Sequence, residues 1–114
     1  MKHFGMALDL KSDAKNIEEY RRYHEDPWPE PLKGLCEIGV KDMKIFLLGT
    51  HLFMYMATTD TFDVNRDFSS YIKQNPKAAE WDELMRTFQQ RVPEAGPEEW
   101  WAPMELVYDL HEHL

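Results

Sequence analysis

What the chain lacks narrows its function before any motif is considered. It holds one cysteine among 114 residues, so no internal disulfide can form. That cysteine, Cys36, lies in the apolar run Leu35-Cys36-Glu37-Ile38 with no adjacent base, which reads as buried packing rather than as a nucleophile. No apolar run approaches a bilayer span and no apolar leader opens the N-terminus. Together with the lone thiol, this gives a soluble protein of the reducing cytoplasm as the expectation. Basic residues are few: 13 Lys and Arg stand against 21 Asp and Glu, a formal charge of −8, which repels nucleic-acid phosphates and anionic lipid. Neither nucleic acid nor a membrane is an expected partner. There is no glycine-rich phosphate loop, dinucleotide fingerprint or nucleophile elbow, so nucleotide cofactors and serine hydrolysis have no support. The one metal-like spacing, Asp109-x-His111-x-His113, sits at the chain end with no Cys or further His beside it, and no metal is expected. Chemistry without a cofactor is what remains.

What is present is the patterning of a single domain, residues 1–114, without repeats or low-complexity segments. Phe4, Met6, Leu8 and Leu10 alternate with His3, Gly5, Ala7 and Asp9, as in a half-buried strand over 3–10. Ser12 and Asp13 are turn and N-cap residues before a helix over 16–24. Pro29 and Pro31 fit the first turn of a second helix capped by Trp28 and running to about residue 36, with a stop near Gly39. Residues 44–48 and 52–58, separated by Gly49-Thr50-His51, predict a hairpin. Asp60-Thr61-Phe62-Asp63 reads as a turn into a helix over 64–73. Asn75-Pro76 then precedes a helix over 77–91 with Trp81, Leu84, Met85 and Phe88 on one side. Alternation of Met104, Leu106, Tyr108 and Leu110 predicts a fourth strand, and 111–114 are expected to fray. The order is that of an α+β, ferredoxin-like split βαβ fold with a four-stranded antiparallel sheet and helices on one face. The other face keeps apolar residues, so a second subunit is expected to cover it, giving a homodimer.

One stretch concentrates chemistry. Of five histidines, only His24 sits among aromatic and polar neighbours, in Tyr20-Arg21-Arg22-Tyr23-His24-Glu25-Asp26-Pro27-Trp28-Pro29. On a helix Tyr20 and His24 share a face, and Pro27 turns the chain so that Trp28 comes back toward the imidazole. An imidazole titrates near neutrality, and beside an aromatic wall such a group suits a sugar, whose C–H faces stack on indole and whose hydroxyls seek phenol or carboxylate partners. The plainer alternative is a half-buried histidine closing an amphipathic helix. Trp81 and its helical neighbours read first as core, and adjacent Trp100 and Trp101 cannot both face inward on an extended segment.

The spacing Tyr-x-x-x-His-x-x-x-Trp-Pro-Glu, here Tyr20, His24, Trp28, Pro29 and Glu30, resembles the signature of the L-rhamnose mutarotase family of dimeric ferredoxin-like sugar epimerases. The likeness runs from Phe4 through Leu110. Lys41-Asp42-Met43-Lys44-Ile45-Phe46, Leu52-Phe53-Met54, Asn75-Pro76 with Glu80-Trp81-Asp82-Glu83-Leu84-Met85, and Pro103-Met104-Glu105 are more similar to the L-fucose branch. The resemblance implies a dimeric α/β barrel-type association, an acid/base role for His24, sugar contact by Tyr20, and a pocket lined in part by Trp81. Beside these, Trp28 is a candidate stacking residue, and Asp82 or Glu105 a candidate carboxylate for the sugar hydroxyls. Rhamnose-type members carry tyrosine where Met43 stands and tryptophan where Asp82 stands, and Pro31 replaces the usual aliphatic residue after Trp-Pro-Glu. The expected activity is therefore cofactor-free mutarotation of a six-deoxy sugar, L-fucose first and L-rhamnose as the alternative. A non-catalytic sugar-binding or assembly module is the rival of another class.

Overall fold

β1 (Lys2–Leu10) buries Met6, Leu8 and Leu10 on one face in the computed structural model, which describes residues 1–114. A strand with one apolar side needs edge partners and a cover. The cover begins with α1 (Ala14–Glu25), started by Asp13, whose side chain accepts from the Lys15 N–H. α2 (Pro29–Glu37) starts at Trp28, with Pro29 and Pro31 in the first turn, where a missing N–H costs nothing. β2 (Val40–Leu48) and β3 (His51–Thr58) form a hairpin through Gly49-Thr50, where Gly49 takes the positive φ of 62° that the tight turn requires. Asp63 caps α3 (Val64–Gln74) and Asn75 caps α4 (Pro76–Phe88), each by accepting from a first-turn N–H at 2.8 and 3.1 Å.

The antiparallel sheet has the order β2-β3-β1-β4, with β1 and β3 at its centre. The four helices pack on one face in two clusters. Leu8, Leu10 and Leu52 meet Tyr20 of α1 and Met85 and Phe88 of α4. Met6, Met54 and Met56 meet Phe62, with Leu35 of α2 and Phe68 of α3 against them. No helix is long and apolar enough to cross a membrane.

Four expectations need correction. The run from Met104 to Leu110 is not a strand. β1's second edge carries two dipeptides instead, β4 (Gln89–Gln90) and β5 (Ala102–Pro103), and the chain beyond them leaves the sheet after one bond from Met104 N–H to Gly5 O, with Leu106 and Val107 70% and 85% exposed. Alternation specifies two faces but names no partner edge. The fourth helix stops at Phe88 rather than 91, because Gln89 turns into β4. Cys36 is exposed, on the outer side of α2. The last residues also carry more order than expected: Leu110–His113 form a 3-10 turn, in which Asp109 accepts from the His111 N–H and His113 stacks on Tyr108.

α2 and α3 meet at Gly34. A methyl group there would lie 2.6 Å from the Tyr71 ring and 2.7 Å from Asn75 Nδ2. Neither can retreat: the Tyr71 hydroxyl donates to Pro31 O at 3.1 Å, and the Asn75 amide donates to Glu30 O while its oxygen caps α4. Gly34→Ala is expected to destabilise by about 1–3 kcal/mol through overpacking, outweighing the ~1 kcal/mol that alanine gains in helix propensity. Urea unfolding measures the difference. Burial pushes the Tyr71 phenol up to about 12, with Asp82 adding to the shift. The folded state thus holds this proton more tightly than the unfolded chain does. The Tyr71 contribution is complete below about pH 10 and is lost as pH rises toward 12. A denaturation midpoint that falls across this window in the wild type, and less steeply in Tyr71→Phe, is the expected result.

Candidate active site

Between the sheet and its helices lies a cavity of about 910 Å³ that draws on both core clusters. Its floor is apolar, from Met6, Met43, Ile45, Leu47, Leu52 and Met54, because every second residue of β1, β2 and β3 faces the helices. Polar groups enter from α1, α3, α4, β4 and the β4–β5 connection.

His24 occupies the last turn of α1, exposed at the cavity rim. Its Nδ1 lies 2.9 Å from Tyr20 O. A carbonyl only accepts, so Nδ1 carries the hydrogen. The neutral ring then presents the Nε2 lone pair, for which no protein partner is present, and the protonated ring presents an N–H at the same place. Tyr20, one turn earlier, sets its ring 4.4 Å from the imidazole at a tilt of 38° and is itself buried, its hydroxyl receiving a bond from Gln89 Nε2 at 3.2 Å. Burial pushes the Tyr20 phenol up, partly offset by the Gln89 bond.

Trp81 of α4 forms the indole wall. It meets His24 edge-on at 5.7 Å and is held from α1 by Tyr23 at 6.0 Å and from the α1–α2 turn by Trp28 at 5.2 Å. Trp28 itself is not part of the cavity lining; it packs behind Trp81, with Lys77 Nζ over its ring. Asp82 lines the cavity and is paired with Arg86, whose Nε donates at 3.0 Å and whose guanidinium lies 4.7 Å from the Trp100 ring centroid. Glu105 stands on the exposed segment after β5, outside the lining. The structure therefore gathers Tyr20, His24, Trp81 and Asp82 around one space, with Trp28 as a brace.

The sequence reading missed Gln89 and did not expect Trp100 and Trp101 to face inward together. With α4 ended at Phe88, the Gln89 side chain is 5% exposed and bridges Tyr20 and Trp100. Trp100 and Trp101 both line the cavity, since the chain bends at each instead of running extended. The one signal for Gln89 was its four-residue step from Met85, which sets it in line with the apolar face of the helix. Chemically, the cavity offers an imidazole nitrogen able to take or give a proton, a buried phenol, an indole wall and an apolar floor. That combination suits acid/base work on a small ring with both polar and apolar faces.

Comparison with known proteins agrees in extent with this architecture. The family model described as L-rhamnose mutarotase matches residues 3–110. A UPF0734 protein of Dictyostelium discoideum is 54% identical, covering 96% of this chain and 90% of its own. An L-fucose mutarotase of Xanthomonas campestris pv. campestris is 30% identical, covering 98% and 90%. Among solved structures, an L-rhamnose mutarotase from Formosa agariphila superposes with a TM-score of 0.68 at 21% identity, over 96% of this chain and 98% of that one. The family match thus takes in every strand and helix that builds the cavity, and the chain belongs to the L-rhamnose mutarotase family of sugar isomerases.

Proposed function

We propose that this protein interconverts the α and β anomers of a six-deoxy sugar without a cofactor, acting on L-fucose in preference to L-rhamnose. The observation that carries the reading is the disposition of His24: Nδ1 is committed to a backbone carbonyl, which leaves Nε2 at the cavity rim beside the Trp81 wall. The choice of sugar is supported by the L-fucose mutarotase relative, similar over nearly the full length, and by the cavity positions of Met43 and Asp82, where rhamnose-type members are expected to carry aromatic residues.

Neutral His24 takes the proton of the anomeric hydroxyl. The oxygen's electron pair forms the aldehyde C=O while the bond from the anomeric carbon to the ring oxygen breaks, its pair leaving with the ring oxygen. The imidazolium then returns the same proton to that oxygen. Rotation of the open aldehyde and the reverse sequence close the ring on its other face, with no net change in protons or electrons. Trp81 presents an indole surface to the deoxy side of the sugar, and Asp82 a carboxylate to its hydroxyls.

Saturation-transfer NMR on L-fucose, L-rhamnose and D-ribose tests the activity, with faster anomer exchange expected for L-fucose than for the others. His24→Ala, folded by circular dichroism, is expected to lose about 10²–10⁴-fold of the acceleration, the usual worth of positioned proton transfer. Exchange at the wild-type rate in that variant would remove His24 from the mechanism. Saturable binding of L-fucose without faster exchange would favour a sugar-binding module.

A second copy of the chain completes the assembly in this reading. Opposite the helices, Phe46, Leu48 and Phe53 are 56%, 80% and 39% exposed, and Phe46 stacks on Phe53 at 6.0 Å. An apolar sheet face of this kind is stable in water when it is covered. Sedimentation equilibrium is expected to give twice the chain mass, and Phe46→Lys with Phe53→Lys to give the single-chain mass. A monomeric wild type would refute the homodimer.

A further inference from the structure

We propose that Gln89 and Trp100 are positioning residues that fix Tyr20 as a hydrogen-bond donor to the ring oxygen of the sugar, an assignment that rests on the mutarotase reading above. Trp100 Nε1 lies 2.8 Å from Gln89 Oε1, and Gln89 Nε2 lies 3.2 Å from the Tyr20 hydroxyl. An indole N–H can only donate. It therefore claims the oxygen end of the amide and turns the NH₂ end toward the phenol. The flipped amide would set two donors face to face at Trp100, with Gln89 and Tyr20 5% and 4% exposed. The indole is held in turn by the Arg86 guanidinium over its ring, itself paired with Asp82.

The polarity of this chain leaves one hydrogen over. Because the Tyr20 oxygen accepts from Gln89, its own hydrogen is free, and no protein acceptor lies within hydrogen-bonding distance of it. All three side chains line the cavity. Among the oxygens of a pyranose, the ring oxygen alone carries no hydrogen and can only accept, so a hydroxyl hydrogen without a protein acceptor is matched to it. As the ring opens, that oxygen gains an electron pair before His24 returns the proton, and a fixed donor there stabilises the developing charge. Burial keeps the phenol protonated, so Tyr20 gives a hydrogen bond and not its proton. The proton that the ring oxygen acquires is the one His24 removed from the anomeric hydroxyl.

The test is a mutant cycle read by L-fucose anomer exchange and by NMR titration of ¹³C-labelled tyrosine. It uses the wild type, Gln89→Leu, Trp100→Phe, Tyr20→Phe and the Tyr20→Phe/Gln89→Leu pair. Gln89→Leu and Trp100→Phe are each expected to lower kcat about tenfold or more, with KM changing less. Gln89→Leu should also raise the pH at which Tyr20 titrates, and should cost nothing further once Tyr20 is Phe. Trp100→Phe keeps the ring and removes only the indole donor, so it decides the matter if Gln89→Leu fails to fold. Wild-type kcat in the folded variants, or additive losses in the pair, would overturn the positioning role while leaving the mutarotase reading intact. A wild-type protein that does not accelerate exchange would overturn both.

Discussion

The antiparallel register of β1 on β3, from Lys2 opposite Thr58 to Asp9 opposite His51, decides which side chains can meet the helices. Met6 stands across from Met54 and Leu8 across from Leu52. A slip of one residue would turn these toward solvent and bring His3, Gly5 and Asp9 inward. The same register supplies both the packed core and the floor of the cavity, so stability and binding surface are tied to one set of hydrogen bonds. β2 extends the floor through Met43, Ile45 and Leu47, fixed in place by the Gly49-Thr50 turn.

On that apolar floor, hydrogen-bond direction matters more than the number of polar groups. Three of the contacts have only one possible sense: a carbonyl that must accept from His24, an indole that must donate to Gln89, and an amide left with its NH₂ toward Tyr20. Only the last would be ambiguous alone. Together they leave an imidazole lone pair and a phenolic hydrogen among the groups that line the cavity and are open to a ligand. The Trp81 wall is assembled differently, by edge-to-face contacts with Tyr23, His24 and Trp28 from α1 and the turn after it.

Local features were legible in the chain. The Asp13 cap, the Trp28-Pro29 start of α2, the four-residue spacing of Tyr20 and His24, and the alternation in β1 all depend on neighbours within a turn or a strand. Features set by distant contacts were not. Gln89 became a core residue because α4 ends at Phe88 and β1 offers an edge at Leu10 for Gln89 to join. Cys36 looked buried from its apolar neighbours but lies on the outer side of α2, and Met104 through Leu110 had the pattern of a strand without an edge to pair with. Tyr20 illustrates both: its place on the helix face was readable, whereas the sense of its hydrogen bond depends on a residue 69 positions away.

The prolines around Trp28 bear on how the wall is kept ready. Pro27 and Pro29 flank it, Pro31 is buried in the next turn, and Trp28 itself sits at φ −67° and ψ 138°, the extended geometry that a following proline favours. No side-chain hydrogen bond holds it there. Pyrrolidine rings have already restricted the unfolded chain at this corner, so less disorder remains to be removed when α2 docks. The brace behind Trp81 is thereby preorganised by covalent structure, and an incoming ring meets a surface that need not be frozen at the moment of encounter.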